Sequence, residues 1–115
     1  MQPAHLVGAG GVLGALLRYL ITEISEDKRF PISTLAVNSI GSFFLGFITF
    51  SGLEGNITLF LGVGACGSFT TFSSFSFETF RMWEKEENKK AVINATLNLV
   101  LSLTSVGIGF LLTKI

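Results

Sequence analysis

The chain has 115 residues, 49% hydrophobic and only 14% charged, with eight Lys/Arg balanced by eight Asp/Glu. Ordinary soluble domains carry roughly 25% charged residues, and zero net charge without basic runs outside the loops argues against a nucleic-acid partner. The single cysteine, Cys66, excludes an internal disulfide, and the lone histidine, His5, offers no transition-metal cluster.

The charges are clustered. No Asp, Glu, Lys or Arg lies between Arg29 and Glu54, between Glu54 and Glu78, or between Lys90 and Lys114. Each gap matches the ~20 residues that a membrane-crossing helix requires. A further apolar run, Leu6 to Thr22, is broken only by Arg18. The expectation is one all-α membrane domain with four transmembrane helices.

The first span runs from about Ala4 to Thr22; it lacks a basic leader and is read as a span, not a removable signal. The loop "EISEDKRFP" follows, and Pro31 marks entry to the second span, about Ile32 to Ser51. The turn "GLEGN" leads to the third span, about Ile57 to Phe80. The charged loop "RMWEKEENKK", with Trp83 as an interfacial anchor, precedes the fourth span, about Ala91 to Thr113. Connections this short make successive spans antiparallel. The side holding both termini carries only Lys114, whereas the other holds Lys28, Arg29, Arg81, Lys85, Lys89 and Lys90, with Arg18 facing the same way. The bias predicts termini outside and the two longer loops in the cytoplasm.

Small residues recur within the spans. Gly8, Gly11, Gly14 and Ala15 form a smooth face, Gly10 and Gly14 make a G-x-x-x-G pair, and Ser42 and Gly46 repeat that spacing in the second span. These are read as packing residues, since lipid supplies no hydrophobic drive for helix association and close backbone approach must substitute.

Polar stripes run beside them. Thr34, Asn38 and Ser42 share one helical face, as do Asn94, Asn98, Ser102 and Ser105. Two readings stay open: interhelical hydrogen bonds, or a pathway of neutral donors that a small anion can enter and also leave.

The stretch "GVGACGSFTTFSSFSFETF" of the third span combines weak helix formers, Gly64, Gly67, Ser68, Thr70 and Thr71, with phenylalanines. It predicts a helix interrupted midway, with carbonyls near Gly67 and Thr70 available to a hard cation. Phe72 and Phe75 share a face, with Phe69 one turn earlier. Such a stripe is ordinary core packing or lipid contact on periodicity alone, yet ring edges are electropositive and can also attract an anion.

The runs "GAGGVLGALLRY", "NSIGSFFLG" and "GACGSFTTFSSF" resemble, in order and spacing, the Fluc (CrcB) family of bacterial fluoride channels, over essentially the whole chain. The resemblance implies a passive exporter of cytoplasmic fluoride in the cell membrane, not an enzyme. It implies an antiparallel, dual-topology dimer, with the third helix of each subunit broken near the midplane. A structural, non-transported Na+ would be held by the backbone carbonyls of Gly67 and Thr70, and Phe72 and Phe75 would present ring edges to fluoride. Asn38 would be the pore asparagine, Thr34 and Ser102 polar-track hydroxyls, and Arg18 a vestibule residue or dimer brace. The chain differs from the family pattern at Ser68, where a second glycine is usual, at Asn98, where a tyrosine is usual, and at Val106, an apolar track position. The one-sided Lys/Arg distribution favours pairing with an oppositely biased homologue, a heterodimer, over self-pairing. The alternative is a small multidrug-resistance-type transporter, which needs a membrane-embedded carboxylate; here Glu78 lies only near the end of the third span.

Overall fold

A computed structural model describes residues 2–25 and 30–115. The first loop's basic pair, Lys28 and Arg29, therefore lies outside the described residues. Helix α1 spans Pro3–Ile24 and α2 spans Ile32–Phe50. A π-helix, Thr58–Cys66, runs on into one α-helical turn, α3, Gly67–Phe69. Then come α4, Phe72–Glu84, and α5, Asn88–Leu112. Four helical segments, Pro3–Ile24, Ile32–Phe50, Thr58–Glu84 and Asn88–Leu112, are long and apolar enough to cross a membrane, and the described residues contain no strand.

Local chemistry sets the element ends. Pro3 occupies the first turn of α1, where its missing N–H has no helical partner to lose. Pro31 precedes α2. The turn between α2 and the π-helix uses Gly52 (φ 85°) and Gly55 (φ 70°), left-handed positions that suit glycine. At the end of α4, Glu86 adopts a left-handed φ of 63°, and Glu87 N–H closes the helix on the Met82 carbonyl at 2.8 Å.

Close packing joins spans that are not neighbours in sequence. Along α1, Gly10 faces Phe60 and Ala65, and Gly14 faces Ala65 and Phe69, so α1 and the third segment run parallel. A Cβ on Gly10 would strike the Phe60 carbonyl, one on Gly14 the Ala65 carbonyl, and one on Gly64 would lie 2.6 Å from the Val7 carbonyl. The second pair is α2 with α5: a Cβ on Gly46 would lie 2.6 Å from the Val106 carbonyl, and Gly109 abuts Phe43 and Phe47. Phe50 and Phe110 continue that contact edge to face at 4.9 Å. By comparison α1 and α2, joined by a loop, touch little.

Burial is inverted relative to a water-soluble bundle. The most enclosed side chains are Val37 and Asn94, and Asn98, Thr34 and Thr71 are buried with them, whereas Leu, Ile and Phe cover the outside. That is the distribution expected where the surrounding solvent is hydrocarbon.

Candidate functional site

The interior polar residues converge on the link between α3 and α4. Thr70 (φ −81°, ψ 159°) and Thr71 (φ −149°, ψ 116°) are extended there. Thr71 caps α4: its Oγ1 accepts the Ser74 N–H at 3.1 Å. The Thr71 N–H, which a continuous helix would direct to the Gly67 carbonyl, instead donates to Asn38 Oδ1 at 2.7 Å. Asn38 Nδ2 returns a bond to the Thr71 carbonyl at 3.1 Å. One side-chain amide on α2 thus pairs with both peptide groups of Thr71, as a neighbouring backbone would.

The break leaves the last four carbonyls before it, Gly67 to Thr70, without helical partners, two of them through these side-chain contacts. Gly67 C=O forgoes the Thr71 N–H, now on Asn38, and Thr70 C=O forgoes the Ser74 N–H, now on Thr71 Oγ1. The Thr70 hydroxyl folds back on the Cys66 carbonyl at 3.0 Å. Gly67 is exposed, and a Cβ placed on it would meet nothing within 4 Å. Packing inside the chain therefore does not explain that glycine.

The second polar stripe joins the first. Asn38 Nδ2 also donates to Asn98 Oδ1 at 3.0 Å, and Asn98 Nδ2 donates to Asn94 O at 2.9 Å and Asn94 Oδ1 at 3.1 Å. Asn94 Nδ2 donates to Thr79 Oγ1 at 2.8 Å, and that hydroxyl donates to the Phe75 carbonyl at 2.7 Å. A continuous ladder therefore runs from Thr71 across α2 and α5 and back to α4.

The remaining expected residues fall around this ladder. Thr34, buried, donates to Glu78 Oε1 at 2.5 Å. Phe72 is 79% exposed, and its ring centroid lies 5.9 Å from that of Phe75, which is half-buried. Ser102 is half-buried one turn beyond Asn98 on α5. Arg18 lines a shallow cleft of about 270 Å³ with Ala15, Tyr19, Thr22 and Ser74, beside the mouth of α4. Phe69 does not continue the Phe72–Phe75 row; it packs toward Gly41 of α2, because two extended residues separate it from α4 and the helical period does not carry across them.

Sequence reasoning passed over Thr79 and weighed Glu78 only as a carboxylate near the end of the third span, not as a partner of Thr34. Both carried a signal: Phe72, Phe75 and Glu78 recur every three residues along α4, and Thr79 stands one turn after Phe75. The π-helix was also not foreseen; the sequence reading placed the irregularity near Gly67 and Thr70, and it begins at Thr58.

Fold and site together define a polytopic α-helical membrane protein with a neutral polar interior. The chain belongs to the CrcB family: residues 5–110 match the model described as "CrcB-like protein, Camphor Resistance (CrcB)". It is 50% identical over 115 residues to "Fluoride-specific ion channel FluC 2" of Haloarcula marismortui, covering 100% of this chain and 97% of the relative. It is 46% identical over 109 residues to "Fluoride-specific ion channel FluC" of Methanocaldococcus jannaschii, covering 90% and 88% of the two chains. The protein of that name from Pyrococcus abyssi is 44% identical over 120 residues, covering 99% and 98%. These relatives are named as ion channels, not enzymes.

Proposed function

We propose that this chain is a subunit of a fluoride-selective channel that lets cytoplasmic fluoride leave the cell passively. Fluoride enters as the neutral acid, ionises inside and departs down its gradient. The observation that carries this reading is the extended Thr70–Thr71 link, which sets two aromatic rings at the start of α4 beside amides and hydroxyls. The first N–H groups of α4 add a positive helix end there. The relatives' names support fluoride as the ion.

Dehydrating a small anion has an idealised cost on the order of 20 kcal/mol in a low-dielectric medium, so no single group offsets it. Ring edges of Phe72 and Phe75, hydroxyls such as Thr34 and Ser102, and the amide of Asn38 would replace water stepwise. Both Nδ2 hydrogens of Asn38 are engaged in the described arrangement, so an anion reaching it takes the place of Asn98 Oδ1. Arg18 would stand in the vestibule or brace the dimer.

The interruption would lie near the bilayer midplane, on the axis of an antiparallel dimer. The Gly67 and Thr70 carbonyls, released from helical bonding, fit a hard cation such as Na+. The open space beside Gly67 suits close approach of a second subunit. Bound there, Na+ would supply a fixed structural charge. Arg81, Lys85, Lys89 and Lys90 favour the cytoplasm for one end of the bundle, with termini outside. An oppositely biased homologue would then be the natural partner, and the numbered names of several relatives support more than one such protein per organism. Glu78, the carboxylate a multidrug-type exchanger would need, is engaged by Thr34, which favours the channel.

The test is fluoride efflux from liposomes containing this chain alone, then with a paired homologue. Phe75→Ile should abolish efflux while assembly persists. Normal efflux through that variant would remove the ring-edge role, and cells that lose the gene yet become sensitive to cationic dyes rather than fluoride would favour an exchanger.

A further inference from the structure

We propose that Asn98, backed by Asn94 and Thr79, is a positioning residue: it locks Asn38 onto the Thr71 peptide and so sets the link from which α4 presents Phe72 and Phe75. The flux part of its test rests on the channel reading; the rest does not.

The polarity of the ladder carries the inference. Asn38 Oδ1 is committed to the Thr71 N–H, which forces its Nδ2 toward the Thr71 carbonyl and Asn98. Asn98 must then turn Oδ1 to Asn38 and Nδ2 to Asn94, where one amide meets both a main-chain and a side-chain oxygen. Asn94 in turn offers Oδ1 to Asn98 and Nδ2 to Thr79, whose hydroxyl is left to donate to the Phe75 carbonyl. Reversing any one amide would set donor against donor and acceptor against acceptor. The ladder therefore has one low-energy sense, and both its ends are on the backbone of the same segment, at Thr71 and Phe75.

Asn98 is not placed to serve an ion itself. Both its Nδ2 hydrogens point at Asn94, and Asn98 and Asn94 are 5% and 0% exposed. A buried polar group left unpaired costs about 1–3 kcal/mol, so breaking the ladder at Asn98 strands Asn38 on one side and Asn94 on the other. The Asn38 amide is then free to rotate away from Thr71.

Asn98→Asp tests this with nearly unchanged shape. Protonated, the carboxyl keeps an acceptor for Asn38 and one O–H for Asn94. Ionised, it sets a bare oxygen against the two Asn94 oxygens. Titratable groups on the elements packed there are Glu78, Arg81 and Glu84 on α4, Lys89 and Lys90 at the start of α5, and Cys66 on the π-helix; the α2 span and α5 beyond Lys90 contribute none. The wild-type pH profile controls for all of them. Hydrogen exchange of the Thr70–Phe75 backbone, corrected for its intrinsic pH dependence, should match wild type at mildly acidic pH. It should become at least about tenfold faster at mildly alkaline pH. Fluoride efflux should fall over the same interval, while the outward-facing Leu99→Ala follows wild type throughout.

Thr79→Val breaks the other end without adding charge and should speed the same exchange about threefold at every pH; it also decides the matter should Asn98→Asp not assemble. Exchange in either variant that tracks wild type across the pH range would overturn the proposal. Wild-type protein without fluoride efflux, alone or paired, would count against the channel reading and leave the exchange result standing.

Discussion

Two interfaces in this small bundle solve the same problem by opposite chemistry. Between α1 and the third segment, glycines bring main chains together, with Gly10 and Gly14 set against carbonyls and only the Ser68 hydroxyl, beside Gly11, as a polar side chain among these contacts. Where α2, α4 and α5 meet, side-chain amides fill the space and bond one another. The first arrangement depends on shape, so it tolerates no added atom. The second depends, around Asn38, Asn94 and Asn98, on donor–acceptor matching, so it does not tolerate a lost partner. Hydrocarbon supplies no drive for either. Stiffness thus lies in one half of the bundle and an exchangeable hydrogen-bond set in the other.

The largest effect should come from violating the dry interface. Gly14→Leu would drive a side chain into the Ala65 carbonyl and to 3.0 Å from the Phe69 nitrogen, both main-chain atoms that cannot move aside. A loss of about 3 kcal/mol or more is expected, read as a lowered unfolding midpoint and loss of assembled protein in detergent. If Gly14→Leu melts with wild type, α1 does not pack this closely.

Asn38→Leu probes the polar side. It conserves volume but strands the Thr71 N–H, the Thr71 carbonyl and Asn98 Oδ1. The expected destabilisation is about 2 kcal/mol, with fluoride efflux lost even at temperatures where the protein stays folded. Efflux that survives would show that neither the clamp nor the amide matters to conduction.

The two interfaces were unequally legible beforehand. Charge-free gaps announce the membrane helices, and the four-residue spacing of Gly10 and Gly14 announces a packing face. Periodicity likewise puts Thr34 with Asn38, and Asn94 with Asn98, on single faces. It says which way a residue looks and not what it meets. That the stripes would face and saturate each other needed the parallel docking of α2 on α5, which loop lengths do not encode because loops constrain neighbours in sequence. Phe69 misled for a related reason: a period is meaningful only along one helix, and the extended Thr70 and Thr71 reset the phase. The π-helix packs against α1 at Gly64, a tertiary contact that no local pattern in Thr58–Cys66 announces.

A smaller effect, outside both interfaces, calibrates them. Glu86 closes α4 in a left-handed conformation that an L side chain adopts at a penalty. Glu86→Gly should stabilise the protein by about 0.5–1 kcal/mol without altering efflux. A loss of stability instead would mean that the Glu86 side chain makes compensating contacts at the surface.

Gly67→Ala sharpens the comparison most while changing the isolated subunit least. Gly67 is a glycine on the third segment, like Gly64, but its backbone is helical (φ −61°, ψ −37°) and a Cβ there meets nothing. Within one subunit alanine should be neutral or stabilising, by less than about 1 kcal/mol, because it favours the helix. If a second subunit packs there and Na+ sits on the Gly67 carbonyl, the same methyl should weaken the dimer and its Na+ dependence. The single chain's own melting would not fall. A variant that dimerises normally, with unchanged Na+ dependence, would place the dimer axis elsewhere, and the glycine at this position would then have no packing role in either interface.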